Sequence, residues 1–211
     1  GLTMIAADSG AARGLIIHGP SGDVIDTDAF DPIAGTRYEW SGARSGPSGR
    51  DILVTDSGNF QSVLFSFDRA EPSYFPGLAL AIDDDVVVTA QNVGTEATVN
   101  VFDHDGQAIS SGATTSVRAA LIGGDSIQLI TVDGEIVTMS TSSGDTESVG
   151  RLALGSVEFG VVTTSGDRLV VVGADGSALV DDTGVEIGDY PGAELAPETW
   201  AARGSTCLAL T

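Results

Sequence analysis

A short strand–turn–strand motif recurs along the chain about every forty residues, and this repeat constrains the fold more than any other feature. Its copies read Leu-Val-Thr-Asp-Ser-Gly at 53–58, Val-Val-Thr-Ala-Gln-Asn at 87–92, Leu-Ile-Thr-Val-Asp-Gly at 129–134 and Val-Val-Gly-Ala-Asp-Gly at 171–176. The third residues, Thr55, Thr89, Thr131 and Gly173, are separated by 34, 42 and 42 positions. A fixed period in this range is typical of repeat architectures built from one supersecondary unit.

Each copy lies in a unit of four predicted strands joined by tight turns. The clearest unit has strands at 117–122, 127–132, 135–140 and 145–149. Asp133-Gly134 joins its second and third strands and predicts a type I′ turn, which needs positive φ at both central residues. Inner strands are continuous apolar runs, whereas the fourth strands are polar. Sheets with buried inner strands and a wet outermost strand are typical of propeller blades.

The period predicts an all-β propeller of about five four-stranded antiparallel blades, formed by residues 1–211 as a single domain. The first unit lacks its first strand. Thr206–Leu210 can supply it beside Thr3–Ala7, which would close the ring and remove open sheet edges. An alternative alignment matches Trp40–Arg44 with Trp200–Arg203. It makes Thr206–Leu210 the second strand of a further unit and the chain a fragment of a larger propeller.

The charge balance excludes some classes of partner. The chain carries 30 acidic residues against 9 basic residues, which gives a formal net charge of −21, and it contains no lysine. A field of this sign repels phosphate groups, so no nucleic-acid partner is expected, and anionic membrane surfaces are disfavoured as well. No apolar run reaches the length of about eighteen residues that a membrane span needs, so no membrane insertion is expected. The acidity fits either genome composition or adaptation to salt.

Motifs for common catalytic and metal chemistries do not occur in the sequence. Cys207 is the single cysteine, and His18 and His104 lie in different units, so neither a disulfide within the chain nor a zinc site is predicted. A P-loop requires lysine, and no Gly-x-Ser-x-Gly nucleophile elbow is present. Asp103–Gly106 resembles a charge-relay group, but its place in the unit favours a hairpin turn equivalent to Asp133-Gly134. No cofactor is expected.

Because the remaining candidate ligands are carboxylate oxygens, calcium is the one metal to consider. Asp26, Asp28 and Asp31 lie close together in a predicted loop, and Asp83–Asp85 places three carboxylates in a turn. Calcium takes about six to eight oxygen ligands from such groups. Neither run matches the complete twelve-residue calcium loop with its closing glutamate. The first cluster is therefore a weak calcium candidate, and the alternative for both is a solvated loop.

The order apolar strand, Asp-Gly, apolar strand, Ser/Thr-Gly, polar strand resembles the blades of the pyrroloquinoline-quinone-like propeller family. Ile127–Val149 is the best match, followed by Leu169–Ile187 and Val86–Ser110. Quinone-dependent dehydrogenases of that family carry adjacent cysteines and a calcium-bound cofactor, whereas this chain has one cysteine and too few blades. Its two tryptophans also lie away from the family's usual position near the end of the outer strand. The resemblance implies the fold and exported, non-catalytic scaffolding roles, without quinone chemistry.

Two segments break the repeat period and form the predicted binding region. The first, 28–50, contains Tyr38, Trp40 and Arg44, and the second, 190–203, contains Tyr190, Trp200 and Arg203. Irregular insertions on repeat scaffolds often build the binding face, and aromatic and arginine side chains are enriched at interface hot spots. The alternative is that both tryptophans simply pack between blades.

These observations favour a non-enzymatic binding or scaffold module that contacts a protein or a glycan through loops on one propeller face. The resemblance places it outside the cell or in the cell envelope, with a signal or anchor removed. The alternative function is a carbohydrate-active hydrolase or lyase that uses carboxylates in the central channel, since such enzymes need a pair of carboxyl groups.

Overall fold

The computed structural model describes the backbone of residues 3–8, 13–18, 24–25, 38–47, 51–66, 69, 71–162, 167–189, 200–203 and 206–209. These residues form 21 β-strands, which are arranged in six antiparallel sheets. We number the sheets as blades I to VI in chain order.

Every blade is built from strands that are consecutive in the sequence. Blade I contains β1 (Thr3–Asp8), β2 (Arg13–His18) and β3 (Val24–Ile25). Blade II contains β4 (Tyr38–Ser45), β5 (Asp51–Asp56), β6 (Gln61–Ser66) and β7 (Ser73–Pro76). Blade III contains β8 (Leu78–Ile82), β9 (Val86–Val93), β10 (Glu96–Asp103) and β11 (Ala108–Thr115). Blade IV contains β12 (Val117–Gly123), β13 (Ser126–Thr131), β14 (Glu135–Ser140) and β15 (Thr146–Arg151). Blade V contains β16 (Val157–Val162), β17 (Arg168–Gly173), β18 (Gly176–Asp181) and β19 (Glu186–Asp189). Blade VI contains β20 (Trp200–Arg203) and β21 (Thr206–Ala209).

The predicted four-stranded antiparallel blade is confirmed in blades II to V, where the strands are hydrogen-bonded in sequence order. The burial of the strands follows the pattern that the sequence predicts, with buried inner strands and an exposed outermost strand. The apolar run of β17 is buried from Leu169 to Gly173, whereas β15 is exposed along all six of its residues. The second and third strands are covered on both faces by neighbouring blades, and the outermost strand contacts water.

The first strands are the innermost ones, because each contacts the first strand of the next blade, from β4 to β20. Because consecutive strands are antiparallel, their ends lie alternately on two faces of the molecule, which we call the upper face and the lower face. The upper face carries the starts of the first strands, the turns between second and third strands, and the connections between blades. The lower face carries the turns between first and second strands and between third and fourth strands.

The cores lie between blades. One apolar cluster joins blades III and IV and is centred on residues such as Val99, Leu129 and Met139. A second joins blades IV and V and includes Leu152 and Leu154 from the connecting segment. Blades III and IV therefore present an apolar face to both of their neighbours, which is why a single blade of this kind cannot bury its surface alone.

The described strands do not show the predicted ring closure. Thr206–Leu210 was expected beside Thr3–Ala7, but β21 pairs with β20, with Ala202 opposite Cys207, and β1 pairs with β2. Only two residues separate β20 from β21 in the sequence, so a local hairpin closes a far shorter loop than a pairing across the whole chain. The alternative alignment, with Thr206 beginning the second strand of a unit that starts at Trp200, agrees with this pairing.

A β-bulge recurs at one place in the first strands. In β12 and β16 the bulged residues are Arg118 and Glu158, and in β8 the bulge lies at Leu80. In β4 the irregularity is larger: residues 40–43 oppose the single residue Val54. In all four strands the last regular pair before the bulge includes a residue that marks the sequence repeat, namely Thr55, Thr89, Thr131 or Gly173. The period in the sequence is thus the period of this bulge.

The type I′ turn predicted at Asp133-Gly134 is wrong. Gly134 has φ of 81°, but Asp133 is not among the described residues with positive φ, and the Gly134 N–H donates to the Thr131 carbonyl at 3.0 Å. The turn therefore spans 131–134 with its glycine at the end, a three-residue hairpin connection. The Thr131 hydroxyl accepts a bond from the Glu135 N–H at 3.0 Å. This side chain stabilises the longer turn.

Candidate binding face

The upper face exposes two large apolar side chains at the tips of successive hairpins. Phe60 ends the turn between β5 and β6 and is 78% exposed, and Val93 opens the turn between β9 and β10 and is 77% exposed. Single exposed apolar residues are normal on protein surfaces. These two are notable because they belong to corresponding hairpins of neighbouring blades, on the same face.

Phe60 is held in a costly backbone conformation. Its φ is 54°, and it is the one non-glycine residue with positive φ among the residues described. For a bulky side chain this left-handed conformation costs about 1–2 kcal/mol. Strain of this kind persists where surrounding structure imposes it, and it clusters at functional sites.

The surrounding structure does impose it, through the buried carboxylate of Asp56. Its Oδ1 accepts a bond from the Gly58 N–H at 3.1 Å, and its Oδ2 accepts bonds from Asn59 Nδ2 at 2.7 Å and Gln61 Nε2 at 3.2 Å. The Phe60 carbonyl also accepts a bond from the Gly77 N–H at 3.2 Å, at the connection between blades II and III. The Phe60 ring is therefore presented to solvent by a rigid turn.

Tyr74, in the outermost strand of blade II, is a second exposed aromatic side chain of this blade. It lies opposite Val63 in β7 and is 42% exposed. Partial burial raises the pKa of its phenol, and the charges of Asp56 and Glu71 raise it further. The phenol therefore stays neutral at physiological pH and can donate a hydrogen bond.

A groove of about 650 Å³ opens between blades III and IV beside Val93. Its buried floor includes Ala97 and Val137, and half-buried Glu135 lies on one wall, where its Oε1 accepts a bond from the Ser148 hydroxyl. The lining residues are Gln91, Val93, Glu96, Ala97, Thr98, Ala113, Thr114, Thr115, Glu135, Val137, Thr146, Glu147 and Ser148. The groove was not predicted from the sequence, because its two walls come from different repeat units.

The predicted aromatic residues lie at the upper end of first strands as far as the structure describes them. Tyr38 is opposite Asp56 at the start of β4, Trp40 follows in the bulge, and Trp200 starts β20. Residues 28–50 include a strand, since β4 runs from the upper face to the lower face within them. Tyr190 and the candidate calcium ligands Asp26, Asp28 and Asp31 lie outside the described residues.

Arg44 and Arg203 lie away from the aromatic end. Arg44 is opposite Leu53, and its Nε donates to the Leu80 carbonyl in blade III at 3.0 Å. Burial lowers the pKa of this guanidinium. This hydrogen bond joins blades II and III. Arg203 is opposite Thr206, at the end of β20 remote from Trp200.

The acidic turns on the lower face act as caps. Asp83 Oδ1 accepts bonds from the N–H groups of Asp85 and Val86 at 2.8 and 2.7 Å. Asp103 Oδ1 accepts bonds from the Asp105 and Gln107 N–H groups at 2.9 and 2.8 Å. These carboxylates satisfy turn N–H groups, as aspartate often does. Within the described part of the chain, no group of three or more His, Cys, Asp or Glu side chains is arranged to hold a metal.

The sequence prediction placed Asp103–Gly106 in the wrong turn of the blade. It joins the third and fourth strands, whereas Asp133-Gly134 joins the second and third. Its true counterpart is the turn in blade V that starts at Asp181, whose Oδ1 accepts bonds from the Thr183 and Val185 N–H groups at 3.0 and 2.9 Å. Desolvation acts to raise the pKa of Asp181, but bonds from the Thr183 hydroxyl and from these N–H groups outweigh it and the pKa is lowered.

The inner strands offer little support for channel catalysis. The first strands β4, β8, β12, β16 and β20 contain two acidic residues between them, Glu39 in β4 and the exposed bulge residue Glu158 in β16. They belong to blades II and V, which are not neighbours. Glycoside hydrolysis uses two carboxyl groups on either side of the bond that breaks. The hydrolase or lyase alternative therefore stays a prediction.

No protein-family model matches the chain, and no curated protein sequence matches it. Among solved structures, a protein of unknown function from Bacteroides caccae is similar at 11% identity, with a TM-score of 0.54 over 92% of this chain and 74% of that one. BamB from Moraxella catarrhalis is 20% identical, with a TM-score of 0.52 over 89% of this chain and 66% of that one. The WD40 β-propeller domain of Doa1 is 16% identical, with a TM-score of 0.52 over 72% of this chain and 54% of that one.

At these identities the similarity concerns the fold alone. The last two solved structures are propeller proteins of the kind that the blade pattern predicts, although the pyrroloquinoline-quinone-like family itself is not shown. In the described part of the chain no helix is long and apolar enough to cross a membrane. The blades, their inner first strands and these structural relatives together identify the chain as a β-propeller.

Proposed function

We propose that this chain is a non-enzymatic binding module, exported to the cell envelope or secreted, whose upper face binds a protein partner. The observation that carries the proposal is Phe60, an exposed aromatic ring on a strained but rigid turn. A ring that is already fixed loses little conformational entropy on binding, so its burial contributes more to affinity. Aromatic side chains are also enriched among interface hot spots.

Other features of the upper face support the same proposal. Val93 is exposed in the next blade and borders the groove. Two of the aromatic residues predicted from the sequence, Tyr38 and Trp200, begin their strands, and the starts of first strands lie on this face. Export follows from the resemblance of the blades and is part of the proposal. The chain spans 54–74% of the three similar structures, and we also propose that it forms part of a larger ring.

Site-specific photocrosslinking tests the partner. We replace Phe60 with p-benzoylphenylalanine and irradiate the protein in an extract of its source cells. The matched control carries the same photoreactive residue at Val185, which is 54% exposed in a turn on the lower face. We expect a discrete protein adduct from position 60 only, and competition by unlabelled wild type but not by F60S. Equal labelling from both positions, or binding confined to glycans on an array, would contradict the proposal.

A further inference from the structure

The groove between blades III and IV is large enough to bind part of another chain. Its volume of about 650 Å³ lies within the usual range of about 300–1,000 Å³ for binding pockets. It has an apolar floor at Ala97 and Val137, and Val93 lies at its mouth. Such a floor can cover the aliphatic part of a long side chain.

The negative charge of the groove favours a cationic ligand. Its thirteen lining residues include three glutamates, Glu96, Glu135 and Glu147, and no basic residue. Arg151 lies opposite Glu135 on the neighbouring strand, but its Nη1 binds Asp133 Oδ2 at 2.8 Å and the Asp133 carbonyl at 2.7 Å. Hydrogen bonds from Thr131 and then from Arg151 lower the pKa of Asp133.

Glu135 is the acceptor best placed to meet a ligand. The Ser148 hydroxyl fixes its Oε1, and its Oε2 has no hydrogen-bond donor among the described residues. Ser148 lies opposite Val137 on the adjacent strand, so the carboxylate is oriented by its own blade. A half-buried, oriented carboxylate forms stronger hydrogen bonds with a charged donor than a freely moving one.

The opposite wall supplies an open strand edge. Among the described strands β11 pairs only with β10, and its residues 113–115 line the groove. The Thr146 hydroxyl of the facing blade donates to the Ala113 carbonyl of this edge at 3.3 Å. An extended peptide bound along an open edge gains main-chain hydrogen bonds, and adjacent pockets select its side chains.

We infer that the groove binds an extended protein segment and that Glu135 pairs with an arginine or lysine side chain of that segment. The inference rests on the proposed function, because the segment would belong to the partner of the upper face. The apolar floor packs against the aliphatic stem of the basic side chain, and the glutamates surround its charged end. The threonine and serine hydroxyls along both walls form hydrogen bonds with the backbone of the segment.

The test uses N-acetyl-arginine amide as the probe and N-acetyl-glutamine amide as its uncharged comparison. Both are titrated into the isotopically labelled protein, and amide chemical shifts are followed by NMR. We expect saturable shifts at Ala97, Thr114 and Ser148 with the arginine probe, smaller at high salt, and no saturation with the glutamine probe. Shifts that map to another part of the molecule, or equal responses to both probes, would overturn the inference.

Two variants assign the effect to Glu135. E135Q keeps an acceptor for Ser148 but removes the charge, and we expect its affinity for the arginine probe to fall about fivefold. E186Q removes an exposed glutamate of β19 in blade V and is expected to bind like the wild type. Unchanged binding by E135Q would reject the pairing. A folded spectrum of E135Q without probe excludes unfolding as the cause of any loss.

The two proposals fail separately. If position 60 crosslinks to a protein but the arginine probe does not bind the groove, the protein-binding face stands and the cationic segment is rejected. If the probe binds in a manner that depends on Glu135 but position 60 gives no adduct, the groove stands and the role of Phe60 is rejected.

Discussion

The strained backbone at Phe60 lowers the stability of the fold while it holds the ring in solvent, and this loss of stability can be measured. F60G removes the ring and accepts positive φ without a steric cost, so we expect the protein to become more stable by about 1 kcal/mol. F60A keeps the strained backbone and should gain nothing. Chemical denaturation of the wild type, F60G and F60A compares their free energies of unfolding. Both variants should fail to bind the partner protein. An F60G variant less stable than F60A would show that the turn is not strained.

Among the described glycines, Gly144 is the one at which an added Cβ would lie closest to another atom, and that atom belongs to the neighbouring blade. Its φ is 76°, and an added Cβ would fall within van der Waals radii of the Ser111 carbonyl of blade III. We expect G144A to lower the free energy of unfolding by about 3 kcal/mol, from backbone strain and from separation of the blades.

A matched control separates these two causes. Gly106 has φ of 88° in the corresponding turn of blade III, and a Cβ there would have no neighbour within 4 Å. G106A should therefore cost only the conformational part, about 1 kcal/mol. Equal losses for the two variants in urea unfolding would mean that the close approach contributes nothing.

At this scale the sequence predicts where turns occur better than which residue carries the strain. Asp133-Gly134 was placed correctly, but its turn type depends on the Thr131 side chain, which closes a longer loop. Positive φ at Phe60 follows the Gly58-Asn59 pair, which tolerates such a backbone best. The position is decided by Asp56 and by a hydrogen bond to the next blade, and neither can be inferred from local sequence.

At the scale of elements, a buried glutamine connects one blade to the next. Gln128 on β13 accepts a bond from the Thr138 hydroxyl at 2.7 Å, and its Nε2 donates to the Asp182 carbonyl of blade V at 3.2 Å. Q128L leaves both partners without this side chain, and we expect a loss of about 1–3 kcal/mol.

Hydrogen exchange locates the effect of that variant. If Gln128 fixes blade V against blade IV, amides of β18 and β19 should exchange faster in Q128L, while those of blade III stay unchanged. T141A is the control, because Thr141 is on the surface and its hydroxyl binds the Asp125 carbonyl within the same blade. That change should cost less than about 0.5 kcal/mol. Uniform acceleration across all blades would contradict a local role.

The strands themselves were predictable because each one has its own apolar run and its own turn residues. In blade IV, β14 has the predicted boundaries, and those of β12, β13 and β15 differ from the prediction by one or two residues. The groove was not predictable, because Val137 and Ala97 meet across two units that are forty positions apart. Periodicity shows that blades pack together, but not where their outer strands separate.

At the scale of the whole molecule, the pairing of β21 can be tested with its natural cysteine. Cys207 lies directly opposite Ala202 in the β20–β21 hairpin. Opposite residues in antiparallel strands have Cα atoms within the range that a disulfide needs. We therefore expect A202C to form a disulfide with Cys207 under mild oxidation, detectable as a mass loss of two hydrogens.

Cysteines placed along β1 are the control for that experiment. Closure of the ring through Thr3–Ala7 would instead link Cys207 to one of M4C, I5C or A6C. An efficient disulfide from any of these, together with none from A202C, would restore the five-blade closure. The sequence left both alignments open because a short apolar strand fits either neighbour equally well. The choice depends on the proximity of β20 in the chain.

The bulge of the first strands has a consequence for how such a chain can change. Blades III to V accommodate one extra residue at this point, whereas blade II accommodates four opposite a single residue, and the flanking pairs on β5 stay in register with β6. The same point in the other blades should then accept short inserted peptides without disturbing the cores between blades. Engineered or evolved loops could be placed there, one for each blade, around the axis of the ring.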